Sequence, residues 1–284
     1  MTVTEALRAA SDRLSATSDT ARLDAELLMA HALGVSRSDL LLRHLRAAAP
    51  QGFAALVERR LNHEPVAYII GNQEFFGLPF AVSPAVLIPR GDSEVLVEAA
   101  LAAGPQARCV LDCGTGSGAL LLAVLHNLPQ ARGLGIDRSP EALAVATANA
   151  AALGLSARAG MVQADWHSPG WADRLGGRFD LILANPPYVE LAAELALSVR
   201  AHEPAGALFA GPDGLDDYRV LVPQLPGLLA PGGTALVEIG ASQAAAVSAI
   251  ARAAGFACQL HHDLGGRARV LELKIPLGKV PDSA

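Results

Sequence analysis

From about residue 93 onward the chain alternates between short runs rich in Val, Ile and Leu and longer helical segments, and this alternation limits the possible folds more than any other feature. "ARCVLDCG" reads as a strand, "GALLLAVLHN" as a helix, "RGLGID" as a strand and "SPEALAVATANAAALG" as a helix. "AGMVQAD" and "FDLILAN" read as two further strands. The second helix announces its start: Ser139 is placed to cap it, Pro140 suits its first position, and Glu141 lies at the positive end of its dipole. "GGTALVEIG", a helical "SQAAAVSAIARAAG" and a closing hairpin of "FACQLHHD" and "RARVLELKI" follow. Strands separated by helices pair in parallel through crossovers, so the reading is an α/β, doubly wound, mostly parallel sheet with helices on both faces.

The N-terminal region has a different character. "TEALRAASDRL", "ARLDAELLMAHALG" and "GFAALVERRLNH" carry helical spacing; Leu23, Leu27, Leu28 and Ala30 are expected on one face of the second helix, with Gly34 at its C-terminal cap. Residues 64–90, "EPVAYIIGNQEFFGLPFAVSPAVLIPR", mix β-branched and aromatic residues with Gly71, Gly77, Pro79, Pro84 and Pro89, which predicts a hairpin or extended linker. The expected organisation is a small helical domain over 1–63, a hairpin or linker over 64–92, an α/β domain over 93–276 and a tail over 277–284.

Composition excludes several classes of function. The apolar runs, such as "ALLLAVL" at 119–125, fall short of the roughly 18 residues a membrane span needs, and the N-terminus lacks a signal peptide's apolar core. Cys109, Cys113 and Cys258 form no metal-spaced cluster and suit a reducing compartment, so a cytoplasmic protein without a membrane partner is expected. A net charge of −6 argues against nucleic-acid binding through bulk electrostatics and leaves a protein or a small molecule as partner.

"VLDCGTGSGALL" places Gly114, Thr115, Gly116, Ser117 and Gly118 between a strand and a helix, where glycine permits a tight turn and the helix start offers unpaired amides to a nucleotide-like ligand. The spacing alone also fits a dinucleotide loop, with Ala119 as the third small residue. Asp137, about 20 residues on, ends the next strand, where an acid accepts from ribose hydroxyls in either ligand. Asp112 favours S-adenosylmethionine: a carboxylate there suits the amino group of a methionine moiety and sits badly with a pyrophosphate. Asp165 and Trp166 close the third strand, placed to accept from an adenine amino group and to cover its ring.

"FDLILANPPYVE" is the second constraint. A core strand ends on Asn185, followed by Pro186 and Pro187, which cannot continue a ladder, and then Tyr188. Such a mount suits a planar nitrogen acceptor: the Asn185 side-chain oxygen and the Pro186 carbonyl accept its N–H groups, and Tyr188 packs on its plane.

"NPPY" with "DCGTGSG" resembles the amino-methyltransferases that act on planar nitrogens. With "EPVAYIIGNQEFFGLPFAVSPAVLIPRGDSE" and "RLDAELLMAHALG" added, nearly the whole chain resembles the HemK-like release-factor glutamine methyltransferases. The resemblance implies a Rossmann-like methyltransferase sheet with a helical N-terminal substrate-recognition domain. It implies methylation of the glutamine side-chain amide in the Gly-Gly-Gln motif of class 1 peptide chain release factors. Carried over, Gly114 to Gly118, Asp137, Trp166 and Asn185 contact the methyl donor, with Phe76 as an aromatic near it, and Asn185 to Tyr188 bind the glutamine. Arg90 and Glu94 match a family pair beside the site. The chain departs from the family at Gly91, where proline is common, and at Cys113, where leucine is common.

Other residues carry less. His261 and His262 point to opposite faces of a strand and read as a solvated strand end, while Glu203 in "AHEP" is placed to brace the site. The rival readings are a methyltransferase acting on a ribosomal-protein glutamine or on adenine in DNA, a NAD-dependent oxidoreductase, and a non-catalytic binding module.

Overall fold

The structure, a computed structural model, describes residues 1–276; the expected tail over 277–284 lies outside the described residues. The chain forms two compact units, one of residues 1–72 with 195–203 and the other of 73–194 with the remainder.

The first unit is helical, with helices at Val3–Leu14, Ala21–Leu33, Phe53–Leu61 and Val66–Ile70. Thr2 and Glu5 close a capping box at the first helix, and Gly34 caps the second at φ 67. Leu7, Leu14, Leu28, Met29, Leu40 and Phe53 form its core. The second helix buries Leu28 and Ala30 of the expected face, but Leu23 is 40% exposed, whereas Asp24 and Glu26 are buried. Ion pairs make this possible. Asp24 pairs with Arg60 at 2.7 Å and accepts from the Ser18 and Thr20 hydroxyls, and Glu26 pairs with Arg22 and Arg37. The helix Val66–Ile70 falls in the stretch read as a hairpin or extended linker; it is too short to show a helical period, and Pro65 and Gly71 punctuate a short helix as readily as a turn. The inserted stretch contributes the helix Leu197–His202, where a His202 ring nitrogen lies 3.2 Å from the Asn62 carbonyl.

The second unit opens with the hairpin formed by β1 (Asn72–Phe75) and β2 (Leu78–Ala81). Its two turn residues, Phe76 and Gly77, both have positive φ, at 52 and 74. That is the twist a two-residue hairpin requires. Seven strands follow: β3 (Cys109–Cys113), β4 (Arg132–Asp137), β5 (Ala159–Gln163), β6 (Phe179–Ala184), β7 (Leu229–Glu238), β8 (Ala257–His262) and β9 (Ala268–Lys274). They form one sheet in the order β5-β4-β3-β6-β7-β9-β8, parallel except for the pairs β9 makes with β7 and β8.

Alternate residues of the central strands enter opposite cores. Val110, Leu181 and Leu183 pack with Leu96 and Leu122 on one face, while Leu111 and Ile182 pack with Trp171, Tyr218 and Phe256 on the other. Burial on both faces is why these strands read as continuous apolar runs. Ser139 caps the helix Pro140–Ala152 as expected, accepting from the Ala142 amide at 3.1 Å. Among the described residues no helix is long and apolar enough to cross a membrane.

Candidate active site

The sheet register lines up the carboxyl ends of its parallel strands. Cys113 pairs with Ile136 and with Ala184, Asp137 pairs with Gln163, and Ala184 pairs with Val237. The next residues along, Gly114, Asp137, Asn185 and Glu238, therefore stand in one row. The strand order reverses between β3 and β6, the place where open α/β sheets bind ligands.

A cavity of about 440 Å³ opens there, within the range of small-molecule sites. Gly114, Thr115, Gly116, Ser117, Asp137, Asp165, Trp166, Asn185 and Pro187 all line it. Gly114 has φ 76, and a Cβ there would stand 3.1 Å from the Trp166 ring, so both the turn and the stacking depend on glycine. Asp137 accepts from the Gly116 amide at 3.0 Å and the Ser139 amide at 2.9 Å, which ties the loop to β4 and keeps further lone pairs for a ligand. Asp165 accepts from the His167 amide, and the Trp166 indole donates to Asp217 at 3.0 Å.

Several expected residues sit off the cavity wall. Gly118 is buried against Leu122 and Ala146 as the helix Ala119–Asn127 begins. Pro186 is buried behind Asn185, and Tyr188 is held by its backbone: its amide donates to the Leu208 carbonyl and its carbonyl accepts from Gln243. Burial pushes the Tyr188 hydroxyl up to about 12, so it stays protonated. Of the two neighbouring phenylalanines, Phe75 is on the wall and Phe76 is not. Strand alternation turns Phe75 inward, while Phe76 occupies the hairpin turn and donates its amide to Glu94 at 2.9 Å. Arg90 lines the cavity. Gly91 has open space where a side chain would stand.

Asp112, expected to attract the amino group of the methionine moiety, lies off the cavity wall. Its carboxylate is fully buried beneath the loop and not on the wall; Oδ2 accepts from the Thr115 hydroxyl at 2.7 Å, and Oδ1 meets no partner among the described residues. Burial raises it to about 7, against the pull of the Thr115 hydroxyl. Neighbouring Cys113 is raised well above its ordinary value by burial and is an inert core thiol. His261 pairs with Glu272 at 2.9 Å, and no metal-holding cluster occurs among the described residues. Glu203 is buried within the helical unit.

Two supporting residues escaped the sequence reading. Gln243 bonds the Tyr188 and Gly214 carbonyls and accepts from the Gly240 amide. Asn149, 1% exposed, donates to the Ser117 carbonyl at 2.8 Å and exchanges two bonds with the Ala81 backbone, fastening the glycine loop to β2. Asn149→Ala leaves those three backbone groups unpaired. A loss of about 3 kcal/mol is expected in thermal or urea unfolding, together with weaker donor binding.

The loop, the acid ending β4 and the deep apolar-walled cavity fit S-adenosylmethionine and define a methyltransferase of the doubly wound α/β class, with this methyl donor as cofactor. A methyltransferase from Pyrococcus furiosus shares the fold, with a TM-score of 0.52 at 16% identity over 76% of this chain and 95% of that one. Residues 5–71 match the PrmC N-terminal domain model and residues 106–251 a methyltransferase domain model. Release factor glutamine methyltransferases from Caulobacter vibrioides and Moorella thermoacetica are 44% and 46% identical over 263 residues, 90% of this chain and 90% and 91% of those proteins. One from Cereibacter sphaeroides is 43% identical over 97% of this chain and 99% of its own length. The chain belongs to the release factor glutamine methyltransferase family.

Proposed function

We propose that the chain transfers a methyl group from S-adenosylmethionine to the side-chain amide nitrogen of the glutamine in the Gly-Gly-Gln motif of class 1 peptide chain release factors. The observation that carries this reading is Asn185 standing in one row and one cavity with Gly114 and Asp137. An amide-holding group thus faces the donor loop. The names of the relatives agree with it.

In this reading Gly114 to Gly118 bring backbone close to the donor, Asp137 accepts from its ribose hydroxyls, Asp165 accepts from its adenine amino group and Trp166 covers the ring. When bound, the donor supplies a methyl group activated by a sulfonium. The amide nitrogen is a weak nucleophile because its lone pair is delocalised. The Asn185 oxygen and the Pro186 carbonyl accept its two N–H groups, fix its plane and stabilise the positive charge that develops on nitrogen until one of the two protons is lost to water. Pro186 and Pro187 hold these acceptors rigid, and Tyr188, set off the cavity wall, flanks them. The helical domain over 1–63 recognises the protein that carries the glutamine.

The test is mass spectrometry of a purified release factor after incubation with this chain and S-adenosylmethionine, beside a factor whose Gly-Gly-Gln glutamine is replaced. One added methyl on that glutamine, absent from the control, is expected. Methylation of a ribosomal protein instead would move the acceptor, and no transfer at all would sink the reading.

A further inference from the structure

Glu238 ends β7, one step beyond the Ala184–Val237 pair, and so neighbours Asn185 in the row of strand ends. It is 2% exposed, and its Oε2 meets no hydrogen-bond partner among the described residues. A buried carboxyl left half satisfied beside the acceptor site is costly, which points to a use. Asn185 Nδ2 lies 3.4 Å from the Ser93 hydroxyl oxygen, and Ser93 and Asn185 both favour the ionised form of Glu238. Tyr218 donates to the Glu238 backbone carbonyl at 2.9 Å and pins the strand end.

We propose that Glu238 is a positioning residue whose carboxylate, with Ser93, holds the Nδ2 end of Asn185 and so turns the Asn185 oxygen toward the acceptor amide. The inference rests on the reading of Asn185 given above. An ionised carboxylate only accepts, so it selects the NH2 end of the carboxamide. A protonated carboxyl donates instead, and it stabilises the opposite orientation, in which Asn185 would confront the acceptor N–H with its own NH2.

The charge around Glu238 sets where that switch falls. Burial raises it to about 7, with Asp92 pushing the same way and Ser93, Arg269 and Asn185 opposing. Asp92 is itself paired with Arg269 at 2.6 Å, and Arg269 with Asp263 at 3.0 Å. The Tyr188 and Tyr218 hydroxyls complete the surroundings, with Arg90 beside Tyr188 and Asp217 beside Tyr218.

The test measures kcat for methylation of a release factor from about pH 5.5 to 8.5, at saturating donor and acceptor, for the unaltered chain, Glu238→Gln and Ser93→Ala. Saturating donor keeps the titration of Asp112 in the donor KM. The unaltered chain is expected to show an acid limb with its midpoint about 7. Glu238→Gln loses that limb and at least about tenfold in kcat at high pH, with donor Kd changed less than about twofold. In Ser93→Ala the limb moves to higher pH, because the lost hydroxyl favoured the ionised form; this variant decides the matter if Glu238→Gln does not fold. Transfer by the unaltered chain with no acid limb, an unchanged profile in Glu238→Gln, or an unmoved limb in Ser93→Ala overturns the role of Glu238 alone. Absence of transfer by the unaltered chain overturns the reading of Asn185, and this inference with it.

Discussion

Asn185→Ala is expected to lower methyl transfer on the order of 10²–10³-fold, the range for removing one aimed hydrogen-bonding group from a closed site. The variant removes an acceptor for the amide N–H and with it the restraint on the amide plane. Donor binding is expected to change far less, because the loop, Asp137 and Trp166 are fastened through other partners. Calorimetric titration with S-adenosylmethionine beside a single-turnover methylation assay separates the two effects. Equal losses in donor affinity and in transfer would show that Asn185 serves the donor alone and would remove it from the acceptor site.

Stability of the donor-free chain is expected to fall as pH rises from about 4.5 to 7 and to level off above that, at up to about 1.4 kcal/mol per pH unit for each raised carboxyl. The direction follows from burial. Asp112 is raised from 3.8, and Glu238 from 4.5, each to about 7. Across this window the folded chain holds protons that the unfolded chain has released, so raising the pH favours unfolding. Asp263 works oppositely and lower: the Arg267 amide above all holds it near 2, so its contribution is present at neutral pH and lost only in strong acid. Asp112→Asn is expected to gain on the order of 2 kcal/mol at pH 7.5 and to flatten the slope in urea unfolding followed across pH. A slope unchanged in both Asp112→Asn and Glu238→Gln would mean that neither buried carboxyl titrates in this window.

Much of the α/β unit was legible because its signals are local. The strand "RGLGID" is β4 residue for residue, and the Ser139-Pro140 start holds as a cap. The glycine loop, Asp137, Asp165, Trp166 and Asn185 share one cavity because each ends or follows a parallel strand, so topology alone brings them together. Phe76 shows the limit of such reading: two adjacent aromatics are equivalent in sequence until a two-residue turn decides which faces inward. Asn149 and Ser93 lay beyond reach for another reason. Their partners stand 68 and 92 residues away for Ala81 and Asn185, and nothing local marks such pairings. Glu238 was closer to hand, since an acid at the end of the strand "GGTALVEIG" belongs to the same row as Asn185. In the helical unit, Asp24 and Glu26 defeated the apolar pattern because ion pairs let acids replace leucines on the inner side.

The helical unit is not a continuous length of chain: residues 195–203 belong to it, and they follow Tyr188 by only a few positions. A gene fragment ending at Asn72 would therefore encode an incomplete module, short of the piece that meets Asn62 through His202. Graft experiments that exchange this module between relatives must carry two inserts, not one. An exchange of residues 1–72 alone would leave the module joined to the other chain's 195–203, a few positions after the Asn-Pro-Pro-Tyr motif.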